Sequence, residues 1–570
     1  MRTSRILCLL LVVCLLLALT TGCGSSQETV TETEATQGPI ATESPAEPAP
    51  ATETPAEPVP KETSSYFPIT DESAEMSLWA ALSNSMNGYF DSWGQLPVFQ
   101  KYEEMTNVHI NFVEVSAMEG NEAFNIMVAS GEYTDMVLML AGRYAGGASK
   151  ALEEDVIISL EGYMETCAPD YLSLINSDEE MRRATYTDEG HILAMYGYYQ
   201  NVHALDGYLI RQDWLDELGL EVPGTYEEIE VVAEAFKVNY GCSMPVLVDE
   251  KGLIGENGGF IGGYGTKGFL INSPPDIYSA SEFYQKDGQL QCSFLDDGFR
   301  DFLAMMADWY SSGYFNSDWV SIMGFQDAWL PYILNNSCGI FPGSLSVIDY
   351  IYNNHADEGI KLSAMPQPKV NATDEGSHFA NNKSKRHATA SISVTTGCQD
   401  PELAIRWING FFTDEGITLA NWGVEGQSYE IGSDGQPHYT ALITDDQTGA
   451  STDTLLHIYA IFSEWPTLNN DASYTLYDEE SLAILDFWTQ SGDGAWLLPR
   501  GTALTTAESA EFSTLAADFE TYASEHISRF LIGEEDVMAE WDAFQSQLQS
   551  MNLDKCMDIY QAALDRYYER

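Results

Sequence analysis

A tryptophan and a carboxylate, Trp422 and Glu425, stand in the run Trp422-Gly423-Val424-Glu425-Gly426, directly after a helix-like stretch. Side chains flanked by glycine have little packing purpose there. A ring beside a hydrogen-bonding group suits a polyhydroxylated ligand, because the ring covers an apolar C–H face while the polar group takes the hydroxyls. Other candidates for this chemistry lie at strand ends and in connections. Arg143 and Tyr144 follow a strand-like run at the carboxyl edge, where α/β sheets expose ligands. Tyr196, with Tyr198 and Tyr199, precedes an expected passage between lobes. Tyr264 lies with Phe260 in the Gly-rich stretch Gly255–Gly265, and Arg211 begins a helix near the expected cleft. Trp93 and Phe341 complete the ligand-binding candidates. Each competes with a packing role, and in the tail Tyr560, Arg566 and Tyr567 read most simply as packing residues.

Covalent chemistry has no comparable constellation. No Gly-x-Ser-x-Gly elbow, His-Glu-x-x-His helix, Walker loop or Gly-x-Gly-x-x-Gly turn stands in a supporting context. No catalytic residue, cofactor or metal is therefore expected. Paired carboxylates of the kind a glycoside hydrolase uses remain an alternative, since Asp and Glu are abundant.

The elements that must position these residues alternate. Strand-like runs at Met76–Ala81, Val108–Val115 and Asp135–Leu140 are separated by helix-like stretches at Leu96–Met105 and Glu122–Ala129, the opening of an α/β lobe with a largely parallel sheet. Alternation restarts after Gly207–Arg211, with helices around Tyr226–Val238, Asp297–Ser311 and Phe325–Asn335 and a strand at Gly339–Phe341. Lys361–Lys369 and His387–Thr396 read as strands that return the chain to the first lobe, before the helix Pro401–Thr413. Residues 506–570 are helical throughout.

The N-terminus has Arg2 and Arg5, an apolar run of roughly 14 residues, short of the ~20 that span a bilayer, and then Thr20-Thr21-Gly22-Cys23. This is a secretory signal that resembles the lipobox of bacterial lipoproteins, with Cys23 as the lipidated residue. Residues after it are almost wholly Thr, Glu, Ala, Pro and Ser, too poor in apolar surface to order, and so a tether. The formal net charge of −62, from 25 Lys+Arg against 87 Asp+Glu, argues against nucleic acid as a partner. Of nine cysteines, Cys8, Cys14 and Cys23 belong to the signal and anchor; six remain, widely spaced, with no pairing indicated.

Several longer runs carry a likeness. Thr106-Asn107-Val108, Met127 to Asp135, Ile210-Arg211-Gln212-Asp213-Trp214-Leu215-Asp216-Glu217-Leu218-Gly219-Leu220, Trp422 to Gly426 with Tyr429, and Arg529 to Glu534 in the tail occur in order from about residue 75 to the end. In these the chain resembles the extracellular solute-binding proteins of family 1, particularly their LipO-like lipoprotein branch. The resemblance implies a two-lobed, periplasmic-binding-protein-like clamshell of type II with a helix-rich C-terminal tail. It implies residues 1–22 as signal peptide, 23–65 as lipidated cysteine and tether, 66–200 plus 388–440 as lobe 1, and 201–387 plus 441–570 as lobe 2. The implied role is that of a monomeric substrate-binding lipoprotein of an ABC importer, anchored on the outer face of the cytoplasmic membrane, which closes on a sugar or oligosaccharide and hands it to the permease. A solute-sensing lipoprotein that partners a sensor kinase would share this architecture. Some members carry a calcium loop where this chain has Val238-Asn239-Tyr240-Gly241-Cys242, without the clustered carboxylates Ca²⁺ requires.

Overall fold

The alternation seen in the sequence builds two main sheets, which the chain visits in turn, and two further hairpins. The computed structural model describes residues 66–82, 89–116, 119–204, 206–248, 260–268, 282–315, 317, 319, 330–355, 359–379, 387–445, 450, 452–461 and 464–570. The signal, Cys23 and the tether lie outside the described residues, as do residues 255–259 and 325–329 of the stretches named above.

The chain lays down β1 (Ala74–Ala81), β2 (Val108–Val115), β3 (Met136–Leu138) and β4 (Met195–Tyr199), then crosses to β5 (Asp206–Arg211). There β6 (Phe283–Lys286) and β7 (Gln289–Cys292) form a hairpin, while β8 (Ile340–Ser344) and β9 (Leu362–Met365) flank β5 in a 3-stranded sheet. β10 (His387–Val394) returns to the first sheet, β11 (Tyr429–Ile431) and β12 (Pro437–Tyr439) pair as a hairpin, and β13 (Leu468–Asn469) joins the first sheet. That 6-stranded sheet has the order β13-β4-β10-β3-β1-β2, with β10 the antiparallel member. The α/β clamshell architecture follows from these two sheets and the helices between their strands.

Local chemistry explains the first lobe. In β2 the buried Val108 and Ile110 alternate with exposed His109 and Asn111, the pattern of an edge strand with one covered face. Parallel neighbours need a helical crossover. Between β1 and β2 it is Pro97–Thr106, which Pro97 opens at a position needing no amide donor and Asn107, at φ 64°, ends in the left-handed region. Its inner face sends Phe99 and Tyr102 into a core with Trp407, Phe411 and Trp465, where Tyr102 stacks on Phe411 at 4.0 Å and Phe99 meets Trp465 edge-on at 4.7 Å.

The second lobe packs Tyr226–Tyr240 and Asp297–Ser312 against the tail helices Thr506–Leu531, Val537–Ser550 and Leu553–Glu569. Trp214, Phe236, Trp309, Phe519, Phe530 and Trp541 share that core. The first of these helices begins in a capping box: the Thr225 hydroxyl accepts from the Glu228 amide at 3.2 Å, and the Glu228 carboxylate accepts from the Thr225 amide at 3.1 Å. Thr225→Ala should therefore cost about 1 kcal/mol in urea unfolding, with no change in the native circular dichroism.

Two boundaries differ from the sequence reading. β9 pairs with β5 in the second sheet, so only β10 carries the chain back. The return visit also runs past residue 440 as far as Asn469, because Ile458, Ile461 and Trp465 lie in the first core and β13 pairs with β4 through Leu468–Tyr198 and Asn469–Tyr199. A strand of two residues carries no periodic signal, so the continuation could not be seen locally. The six cysteines of this folded part are buried free thiols, and burial pushes those of Cys242 and Cys398 up to about 12.

Candidate functional site

A crevice of about 380 Å³ lies where the two lobes meet. The first lobe supplies the connection after β3 and the helix Gly147–Glu153, residues 184–189 with His191 and Leu193 ahead of β4, and Tyr196 within β4. The second supplies residues 500–506, the first turns of Thr506–Leu531 with Ser509, Phe512 and Ser513, and Tyr560 and Arg570 from the last helix. Its size falls at the lower end of the ~300–1,000 Å³ range of small-molecule sites. The walls include the rings of Tyr186, Tyr196, Phe512 and Tyr560 together with several serines and threonines, among small and charged residues. The lobes approach closely at Gly501, where a Cβ would stand 2.8 Å from the Ala184 Cα.

Ion pairs cross between the lobes beside the crevice. Asp188, from the first lobe, accepts from Arg566 Nε at 2.6 Å and from Arg570 Nε at 2.6 Å, both from the last helix. Arg566 also holds Glu508 through Nη1 at 2.9 Å and Nη2 at 2.5 Å. Desolvation works against the Glu508 carboxylate, but the bonds from Arg566 and the Thr505 amide outweigh it and hold that carboxyl below its usual range. Arg570 further donates to the main-chain oxygens of Arg183 and Gly501, each at 2.9 Å, and its own main-chain oxygen accepts from Arg182 Nη2 at 2.6 Å. The Thr506 hydroxyl reaches Glu153 at 2.9 Å.

No protein-family model matches the chain. It is 21% identical over 511 residues to the fructooligosaccharide ABC transporter substrate-binding protein FusA of Streptococcus pneumoniae, covering 82% of this chain and 87% of that one. Among solved structures it superposes on an HMO-binding, ABC-transporter-associated solute-binding protein from Bifidobacterium longum infantis with a TM-score of 0.70 at 18% identity, over 87% of this chain and 99% of the other. The chain has the fold of an ABC-transporter solute-binding protein. The alginate-binding protein AlgQ2 shares it at a TM-score of 0.65 and 21% identity, over 87% and 99% of the two chains.

Of the ring and charge positions expected from the sequence, this solute-binding fold brings Tyr196 to the crevice wall. Arg143 and Tyr144 stand close by, after β3, but turn to the protein. The Arg143 guanidinium lies 5.2 Å over the Trp79 ring and donates to Asn121 at 2.9 Å, while desolvation lowers its pKa. The Tyr144 hydroxyl bonds Glu154, and its pKa is pushed up to about 12, first by burial and then by that carboxylate.

Packing claims Trp93, Phe341, Arg211 and Trp422, while Tyr264 and Glu425 lie away from the crevice lining. Trp93 and Phe341 are buried, at 1% and 0% exposure, in the two lobes' cores, so neither ring has a face for a ligand. Arg211 forms a fork on Asp213 at 2.8 and 2.6 Å, bonds Asn336 at 2.8 Å and stacks 4.3 Å over Trp214, which makes it a structural clamp. Tyr264 packs between Tyr226 and Phe302. Trp422 is buried with Tyr429 and Tyr439, and Glu425 is exposed on the turn that bridges back to Tyr429. The flanking glycine has a backbone purpose: Gly423 sits at φ 82°, and a Cβ there would stand 2.1 Å from the Tyr459 carbonyl oxygen.

Asp188, Tyr186, residues 500–506, Phe512 and Arg570 escaped the sequence reading. One signal was available, since Arg182, Arg183, Arg566 and Arg570 form two close pairs in a chain with only 25 Lys+Arg.

Proposed function

We propose that this chain is the substrate-binding component of an ABC importer and that it holds an oligosaccharide, unchanged, in the crevice between its lobes. The observation that carries the reading is a crevice with the half-buried rings of Tyr186 and Tyr196 among hydroxyl side chains, placed where two lobes of a solute-binding fold meet. Rings of this kind stack on the C–H faces of sugars, while hydroxyls and main-chain groups take their oxygens. The named relatives point the same way: they are binding proteins for fructooligosaccharide, HMO and alginate.

Closure follows from differential contact. A ligand touching Tyr196 on one lobe and Thr505, Thr506 or Ser509 on the other favours the closed arrangement by the contacts available only there, and that arrangement engages the permease. Residues 1–65 supply the membrane address, with Cys23 lipidated and the tether holding the lobes off the surface.

Calorimetry on an oligosaccharide panel, with chromatography of the sugar recovered afterwards, tests this role. Saturable binding with the sugar returned intact is expected; accumulating hydrolysis product would replace the reading with a hydrolase. Tyr196→Ala should weaken binding of whichever sugar is found about tenfold, ~1.4 kcal/mol for one lost ring platform.

A further inference from the structure

We infer that the crevice selects an uncharged oligosaccharide and rejects one that carries carboxylates, such as a uronate or sialate. The inference rests on the binding role proposed above and names the ligand's chemical class. Recognition of a carboxylate within a protein calls for a cation that can turn toward it, best a guanidinium fork. Four guanidiniums around this crevice, those of Arg182, Arg183, Arg566 and Arg570, are already turned toward the protein.

Arg566 is held between Asp188 and Glu508, and Arg570 by Asp188 and two main-chain oxygens. Arg182 is held by the main-chain oxygen of Arg570 at 2.6 Å. Arg183, outside the lining, pairs with Glu179 at 2.6 Å, and Arg500 likewise interacts with the protein's own groups. The two pairs on Asp188 are largely removed from water, with side-chain exposure of 7% for Arg570, 27% for Arg566 and 16% for Asp188. Turning a guanidinium toward a ligand would strand one of those carboxylates without its counter-charge, so the exchange brings little gain.

The field points the same way. The lining contains three carboxylate side chains, Glu153, Asp188 and Glu189, against two guanidiniums, Arg500 and Arg570, in a chain of net charge −62. An anion approaching this crevice meets the repulsion of the whole molecule's net charge. A neutral sugar does not. For it the walls offer ring faces and uncharged hydroxyls.

The test uses the full chain immobilised by its N-terminal end and offered an equimolar mixture of oligosaccharides in two charge classes. Neutral probes come from inulin, xyloglucan and starch hydrolysates and unsialylated milk glycans; acidic probes come from polygalacturonate, alginate and sialylated milk glycans. Retained sugars are identified by mass spectrometry. Retention of neutral sugars alone is expected, with an affinity that changes less than about twofold between low and high salt. Retention of an acidic sugar as well as or better than the neutral ones would overturn the inference while leaving the binding role intact. If no sugar of either class is retained, the binding role falls and takes this inference with it.

Discussion

Asp188→Asn should lower the unfolding free energy by about 2–3 kcal/mol, because it leaves Arg566 and Arg570 facing each other across a neutral amide. The carboxylate takes a 2.6 Å bond from each guanidinium, and the three side chains are only 16%, 27% and 7% exposed. A surface pair would be worth far less, and full burial would raise the figure, so the partial exposure sets the middle value. The substitution removes an attachment between lobes, since Asp188 precedes β4 in the first lobe while both arginines belong to the last helix, packed in the second lobe's core. The lobes should also separate more readily. Urea unfolding reads the first effect, and the radius of gyration from small-angle scattering reads the second. A loss under about 0.5 kcal/mol together with an unchanged radius would show that the pairs are surface ornaments.

The second large effect lies deep in the second lobe. Glu282 is 1% exposed beside β6, and burial, followed by the neighbouring Glu520 carboxylate, pushes its pKa up to about 8. The raised value means that the folded state keeps a proton which the unfolded chain releases above its ordinary 4.5. Between those values the folded state binds more protons, so stability falls as pH rises, by about 1.4 kcal/mol per pH unit from this group. Below 4.5 both states are protonated and the term vanishes; above about 8 the full penalty is present. Glu282→Gln keeps the shape and removes the charge. It should match the natural protein near pH 4.5 and exceed its stability by about 3–5 kcal/mol near pH 8.5. Parallel stability-versus-pH curves for the two proteins would refute this assignment.

Much of the architecture could be read from local pattern. The strands β1 and β2, the helices after β5 and at Tyr226–Tyr240, and the helical tail were all expected within a few residues of where they lie. Their signals are local: an alternating apolar face in β2, a Thr225/Glu228 capping box, glycines at helix ends such as Gly219 at φ 66°. The likeness in the runs around residues 127–135 and 210–220 gave the fold for the same reason, since those residues form a helix end before β3 and the start of a helix after β5, both built by short-range geometry.

The crevice is different. Trp422 and Glu425 looked functional because glycine surrounds them, yet those glycines answer to backbone conformation and to a carbonyl contributed by Tyr459. Trp93 and Phe341 looked accessible, and core packing claimed them, because nothing in a short window distinguishes a ring facing inward from one facing a cleft. The crevice wall joins residues 141–196 to residues 500–570, and its ion pairs link Asp188 to Arg566, 378 positions apart in the chain. Periodicity, capping and turn chemistry act over a few residues and determined the elements, the two lobes and the acidic surface from the sequence alone. Which side chains meet between the lobes depended on how the last helix lies against the first lobe, a contact between distant segments that only the tertiary structure decided.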